Sequence, residues 1–101
     1  MATQTVRSVA SGGFSSLDMK LINEEGTTEV DAGGAATQDS VVNTIWEYDF
    51  TDIPAGRYLV LLVNNGTIAS MDFVTLTLTT GSFNVESLLE VSQSPYTYDG
   101  V

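Results

Sequence analysis

Trp46-Glu-Tyr-Asp-Phe-Thr-Asp-Ile-Pro-Ala-Gly-Arg-Tyr-Leu-Val-Leu-Leu-Val-Asn-Asn-Gly66 decides the fold. Trp46, Tyr48 and Phe50 share one face of an extended chain, and Glu47 and Asp49 share the other. That is the period of two of a half-buried strand, and it predicts a strand over residues 41–50. Thr51 to Gly56 is a tight connection, with Pro54 fixing φ and Gly56 free to take a positive one. Arg57 to Asn64 is apolar nearly throughout, which predicts a central strand. Asn65-Gly66 is a type I′ hairpin signal, because both central residues of that turn need positive φ. A further strand is therefore expected from Thr67.

Working outward, Leu17, Met19 and Leu21 alternate with Asp18 and Lys20, a strand that turns at Asn23-Glu-Glu-Gly26. Thr27 to Asp31 returns as a short strand, and residues 32–40 read as a small, polar loop. Downstream, Met71 and Phe73 alternate in one register and Val74, Leu76 and Leu78 in the opposite one. Both sets can face the core only if a residue is inserted, so a bulge or a strand break is expected near Asp72–Val74. Thr75, Thr77 and Thr79 then line the solvent side. Phe83, Val85, Ser87, Leu89 and Val91 suggest a last strand, with a helical turn at Ser87–Glu90 as the alternative. No long segment has helical period. About seven short strands separated by turns predict an all-β fold, an antiparallel β-sandwich of immunoglobulin-like or prealbumin-like type.

Composition narrows the chemistry. The chain has 101 residues, 13 of them acidic and three basic, for a formal charge of −10. Its length suits one domain. The charge argues against nucleic acid and against anionic membrane surfaces as partners, since both need clustered Lys and Arg. Without Cys there is neither a disulfide framework nor a thiolate site, and without His there is no Ser-His-Asp triad or imidazole base. The N-terminus lacks the apolar stretch of a secretory signal, so synthesis in a cytosol is expected, with retention there or exit by a route other than secretion.

The two ends differ from the middle. Residues 1–16 are rich in Ser, Thr, Gly and Gln, and residues 92–101 carry Tyr96 and Tyr98 without a core of their own. The expected organisation is an N-terminal arm over 1–16, a sandwich over 17–91 and a C-terminal arm over 92–101. The arms are expected to be held by neighbouring chains. Val6, Val9, Phe14, Tyr96 and Tyr98 are then the expected partner-binding residues, since apolar and aromatic side chains make good anchors in a partner's pocket.

The stretch Tyr48-Asp-Phe-Thr-Asp-Ile-Pro-Ala-Gly-Arg-Tyr-Leu-Val60 resembles a signature of prealbumin-like sandwich domains. These are the B-type repeats of collagen adhesins and the regulatory-like domains of carboxypeptidases. The similarity spans roughly residues 17–80, counting a first hairpin in the family position. Some adhesin repeats join a first-strand Lys to a last-strand Asn or Asp, promoted by a buried Glu. The resemblance would assign those roles to Lys20, Asn84 and Glu47. However, Lys20 alternates with the apolar face and should point to solvent, and the Glu expected after the Tyr58 strand is missing.

Other chemistry is sparse. Glu24, Glu25, Glu29 and Asp31 cluster around the first hairpin, and Asp49 and Asp52 flank the Pro turn. Their spacing fits no EF-hand loop, so a solvated acidic surface is expected instead of a Ca²⁺ site. Paired acids for glycoside hydrolysis need a cleft that so short a chain rarely builds. Asn65-Gly66-Thr67 matches a glycosylation pattern but is explained by the hairpin. Trp46, Tyr48 and Phe50 are expected to form core and not a sugar-stacking platform.

No catalytic residue, metal or cofactor is therefore expected. The preferred reading is a non-enzymatic structural protein of a virion, either a phage capsid-decoration or a tail-associated subunit. Its partners would be other virion proteins or copies of itself. The alternative is an adhesive or carbohydrate-binding module of a larger cell-surface protein.

Overall fold

The computed structural model describes residues 2–88. Eight strands run in chain order: β1 (Thr3–Val9), β2 (Asp18–Asn23), β3 (Glu29–Ala35), β4 (Thr37–Gln38), β5 (Ile45–Thr51), β6 (Gly56–Asn64), β7 (Thr67–Leu76) and β8 (Gly81–Asn84). They form two four-stranded sheets, ordered β4-β5-β1-β8 and β3-β2-β6-β7. All pairs are antiparallel except β1 with β8. A single helical turn at residues 86–88 closes the described chain. The all-β, sandwich-like expectation is borne out.

The core lies between the sheets. Sheet β4-β5-β1-β8 contributes Val6, Trp46 and Phe50, and sheet β3-β2-β6-β7 contributes Met19, Leu21, Val60, Leu62, Val74 and Leu76. All of these are at most 2% exposed. Each large side chain so buried stabilises the fold by about 1.5–3 kcal/mol. Trp46 and Phe50 thus sit where the alternation places them, as core.

Turn chemistry follows the residues. Asn65 and Gly66 have φ of 50° and 83°, as a type I′ hairpin requires. The connection from β5 to β6 crosses between sheets, and Asp52 there has φ 56°. Its carboxylate accepts from the Ala2 amide at 2.9 Å, while its own amide donates to the Ala2 carbonyl at 2.7 Å. The Tyr58 hydroxyl donates to the Pro54 carbonyl at 2.6 Å and pins the turn.

Several expectations need correction. Residues 1–16 do not form a detached arm, because residues 3–9 are β1, flanked by β5 and β8. The inward positions of β1 are Gln4, Val6 and Ser8, all 0% exposed. Two of the three are polar, so no apolar alternation marked the strand. Gln4 is a buried stitch: its Oε1 accepts from the Ile53 amide at 3.1 Å and its Nε2 donates to the Thr79 carbonyl. The predicted strand over 41–50 begins at Ile45 instead, since the Asp39 carboxylate caps the Val41 and Val42 amides and holds 39–44 as a loop. Within the expected 32–40 loop, β3 continues to Ala35 and β4 follows.

The bulge also sits elsewhere. Leu62 pairs with Ser70 and Val63 with Ile68, so the extra residue is Ala69. From Ser70 to Leu76 the ladder is unbroken, which turns Val74 and Leu76 inward and Met71 and Phe73 outward. Leu78 lies beyond the strand and is 65% exposed. The last strand is β8 alone, and the chain then makes the helical turn at 86–88. Residues 89–91 of the expected sandwich and the expected C-terminal arm, 92–101, lie outside the described residues.

Candidate interaction surface

The outward register of β2, β6 and β7 brings three rows of side chains across one sheet. Ile22, Leu59 and Phe73 form one row, Lys20, Leu61 and Met71 the next, and Asp18, Val63 and Ile68 the third. Seven of these nine side chains are apolar. Met71 is 61% exposed and Ile68 is 54% exposed. Ile22, Leu59, Leu61, Val63 and Phe73 are half-buried, yet none of them packs against the core cluster. They shield one another side by side on an outer face, as β-branched and Leu side chains of neighbouring strands do.

Charged groups rim this face. Arg57 precedes the first row and lies over the Phe73 ring, 3.9 Å from its centroid. Its guanidinium donates twice to Glu86, at 2.8 and 2.9 Å, and once to Glu24 at 3.0 Å. One side chain thereby ties β6, the β2–β3 turn and the last described turn together. These hydrogen bonds, with Glu86 first, hold Arg57 protonated far above any physiological pH, and the same contacts keep Glu86 ionised below the usual glutamate range. On the opposite rim Lys20 pairs with Glu29 at 3.3 Å.

The expected partner-binding residues do not converge on this surface. Val6 is fully buried in the core. Val9 ends β1, half-buried, and its carbonyl accepts from the Ser70 hydroxyl at 2.7 Å. Phe14 is half-buried and packs against the core from the link between the sheets. These three are parts of this chain's own fold and not anchors on a free arm, because β1 completes its sheet. Tyr96 and Tyr98 lie outside the described residues.

The groups suggested by the adhesin resemblance are also apart. Lys20 is on the outer face of β2, Asn84 is in β8 of the other sheet, and Glu47 is paired with Arg7 at 3.5 Å. Lys20 points to solvent, as the alternation required. Among the described residues no three acids converge in a way that could hold a metal ion. A shallow recess of about 260 Å³ is lined by Ala35, Thr37, Glu47, Tyr48 and Asp49. Its carboxylates are already engaged, Glu47 by Arg7 and Asp49 by the Thr5 hydroxyl at 2.6 Å.

The apolar outer face went unread in the sequence although a signal for it was there. Leu59-Val-Leu-Leu-Val63 is apolar at both parities, which reads as a strand buried on both sides. In a two-layer fold one of those sides has no layer to meet. No family model matches the chain, and no curated protein or solved structure matches it significantly.

Proposed function

We propose that the chain is a non-enzymatic assembly subunit that meets copies of itself or other proteins of a virion through the outer face of the β3-β2-β6-β7 sheet. Capsid decoration or a tail-associated position in a phage is the setting of this reading. The observation that carries it is that face: apolar at seven of its nine outward positions, edged by ion pairs and turned away from the core. An apolar centre inside a polar rim is the anatomy of a protein interface. Monomeric proteins seldom expose contiguous apolar area without such a use.

An immunoglobulin-like or prealbumin-like strand arrangement belongs to the same reading. Two four-stranded sheets support it, as does a tyrosine, Tyr58, whose hydroxyl reaches back to the backbone four residues upstream. The alternative of a carbohydrate-binding or adhesive module at a cell surface loses its stacking platform, since Trp46 and Phe50 are inside. Among the described residues no helix is long and apolar enough to cross a membrane.

Leu61→Glu tests the reading, because it places a charge in the middle row of the face. Light scattering of the full chain should give a mass that grows with concentration, and the variant should associate more weakly with little change in melting temperature. A wild-type chain that remains monomeric at millimolar concentration, indistinguishable from the variant, removes the self-assembly reading.

A further inference from the structure

The four sheet edges are not alike. β4 is an edge of two residues and β8 one of four, both too short to template another strand. β3 is longer, but its ladder shifts register twice and it carries Glu29 and Asp31. These are the usual devices that blunt an edge: brevity, bulges and charge. β7 has none of them over most of its length. It is ten residues long, contains no Pro or Lys, and has one charged residue, Asp72. Its only irregularity is the bulge at Ala69, near one end.

Among the described residues, most polar groups of this edge are open. β7 pairs with β6 alone, and among the described residues no other backbone hydrogen bond reaches Thr67–Leu76. The Phe73 amide donates at 2.8 Å to the Asp72 carboxylate, a side-chain cap on a donor that the β6 ladder leaves unused. By the alternation of an antiparallel pair, the amides of Met71 and Thr75 point the same way. The turn at 86–88 meets this strand through the Ser87 hydroxyl on Asp72 and places no backbone in the ladder.

We infer that β7 pairs edge to edge with β7 of a second copy, antiparallel about a two-fold axis, so that two four-stranded sheets become one of eight. The inference rests on the assembly reading above and names the partner and the contact. An antiparallel strand can pair with its own copy because a two-fold axis makes the contact self-complementary. Charge favours this site, since copies carrying −10 each approach at least cost where one residue in ten is charged. The pairing also continues the outer apolar face, Leu61 and Met71 among it, from one copy to the next across the axis. A ten-residue edge presents roughly 33 by 10 Å, or about 330 Å². That is well below the ~800 Å² per partner of a standard interface. The pair is therefore concentration-dependent alone and consolidated in a repeated array.

Amide exchange of the full chain at micromolar and at millimolar concentration, with the mass read by light scattering, tests this. The expected result is slower exchange at Met71 and Thr75 as the mass doubles, and loss of both effects in Met71→Glu. Thr51→Glu, of equal net charge on the other sheet, should behave as wild type. If the mass rises while these amides exchange at an unchanged rate, copies stack by their faces, and edge pairing is overturned with the assembly reading intact. Edge pairing is likewise overturned if Met71→Glu associates as wild type does. Protection of these amides in a concentration-independent monomer assigns the edge to the chain's own residues and overturns the inference. A monomer with unprotected amides at millimolar concentration overturns both.

Discussion

The outer faces of the two sheets are opposites. On the β4-β5-β1-β8 sheet the outward rows are Ser82, Thr5 and Asp49, then Asn84, Arg7 and Glu47, with Thr3 beside Thr51. Every one of these is polar, the terminal outward pair Val9 with Ile45 being the apolar exception, and they bond locally: Thr5 to Asp49, and Arg7 to Glu47 and Asp39. On the β3-β2-β6-β7 sheet the corresponding rows hold Ile22, Leu59, Leu61, Val63, Ile68, Met71 and Phe73, with Asp18 and Lys20 as the charged positions on β2. A two-layer fold needs one apolar face per sheet. The first sheet has one and the second has two, so the extra face answers no demand of folding. On the assembly proposal, it serves association.

Neighbouring leucines on β6 would break this contrast most sharply. Leu62 is fully buried between the sheets, and Leu61 beside it faces outward, half-buried. Leu62→Ala should cost about 2–5 kcal/mol, by lost transfer energy and the cavity left behind. Leu61→Ala should cost less than about 1 kcal/mol in the isolated chain, near the range of surface changes. Chemical denaturation of both variants gives the comparison. Equal losses would mean that the outer face is part of the core.

A middle-sized effect is expected at Gln4, on the inward side of the polar-faced sheet. Gln4→Ala leaves the Ile53 amide and the Thr79 carbonyl without their buried partner. The expected cost is about 1–3 kcal/mol, the penalty of stranding buried polar groups. A variant as stable as wild type would show that β1 is dispensable, as a detached arm would be.

The smallest effect concerns the rim of the apolar face. Arg57 lowers the proton affinity of Glu86 by hydrogen bonding to its carboxylate. A group whose folded affinity is depressed stabilises the fold at pH above the ordinary glutamate range. That contribution is lost as the pH falls through the lowered folded value. The melting temperature of Glu86→Gln should therefore lie slightly below wild type at neutral pH and converge with it in acid. Added salt should shrink the gap, because the pair is exposed. A gap that widens in acid would reverse the assignment.

Much of this molecule could be read locally. Alternation along Leu17–Leu21 and Trp46–Phe50 named core residues correctly, and Asn65-Gly66 named its hairpin. Pro54 and Gly56 named the crossing turn. β1 could not be read so, because its inward Gln4 and Ser8 are polar. Gln4 is satisfied inside by the Ile53 amide and the Thr79 carbonyl, which only the folded chain brings to it. Nor could the outer surface be read, since Met71 and Phe73 compete with Val74 and Leu76 for the inner face. Local pattern treats the two sets as equals.

Residue chemistry alone determined that this chain is β, where it turns, and which reactions lack their side chains, because period, turn propensity and composition act over a few residues. Tertiary structure alone decided which face of each strand is inside and, among the described residues, which edge stays unpaired. A strand has two equivalent faces until long-range pairing sets its register, and the bulge at Ala69, opposite β6, sends one apolar set inward and leaves the other out.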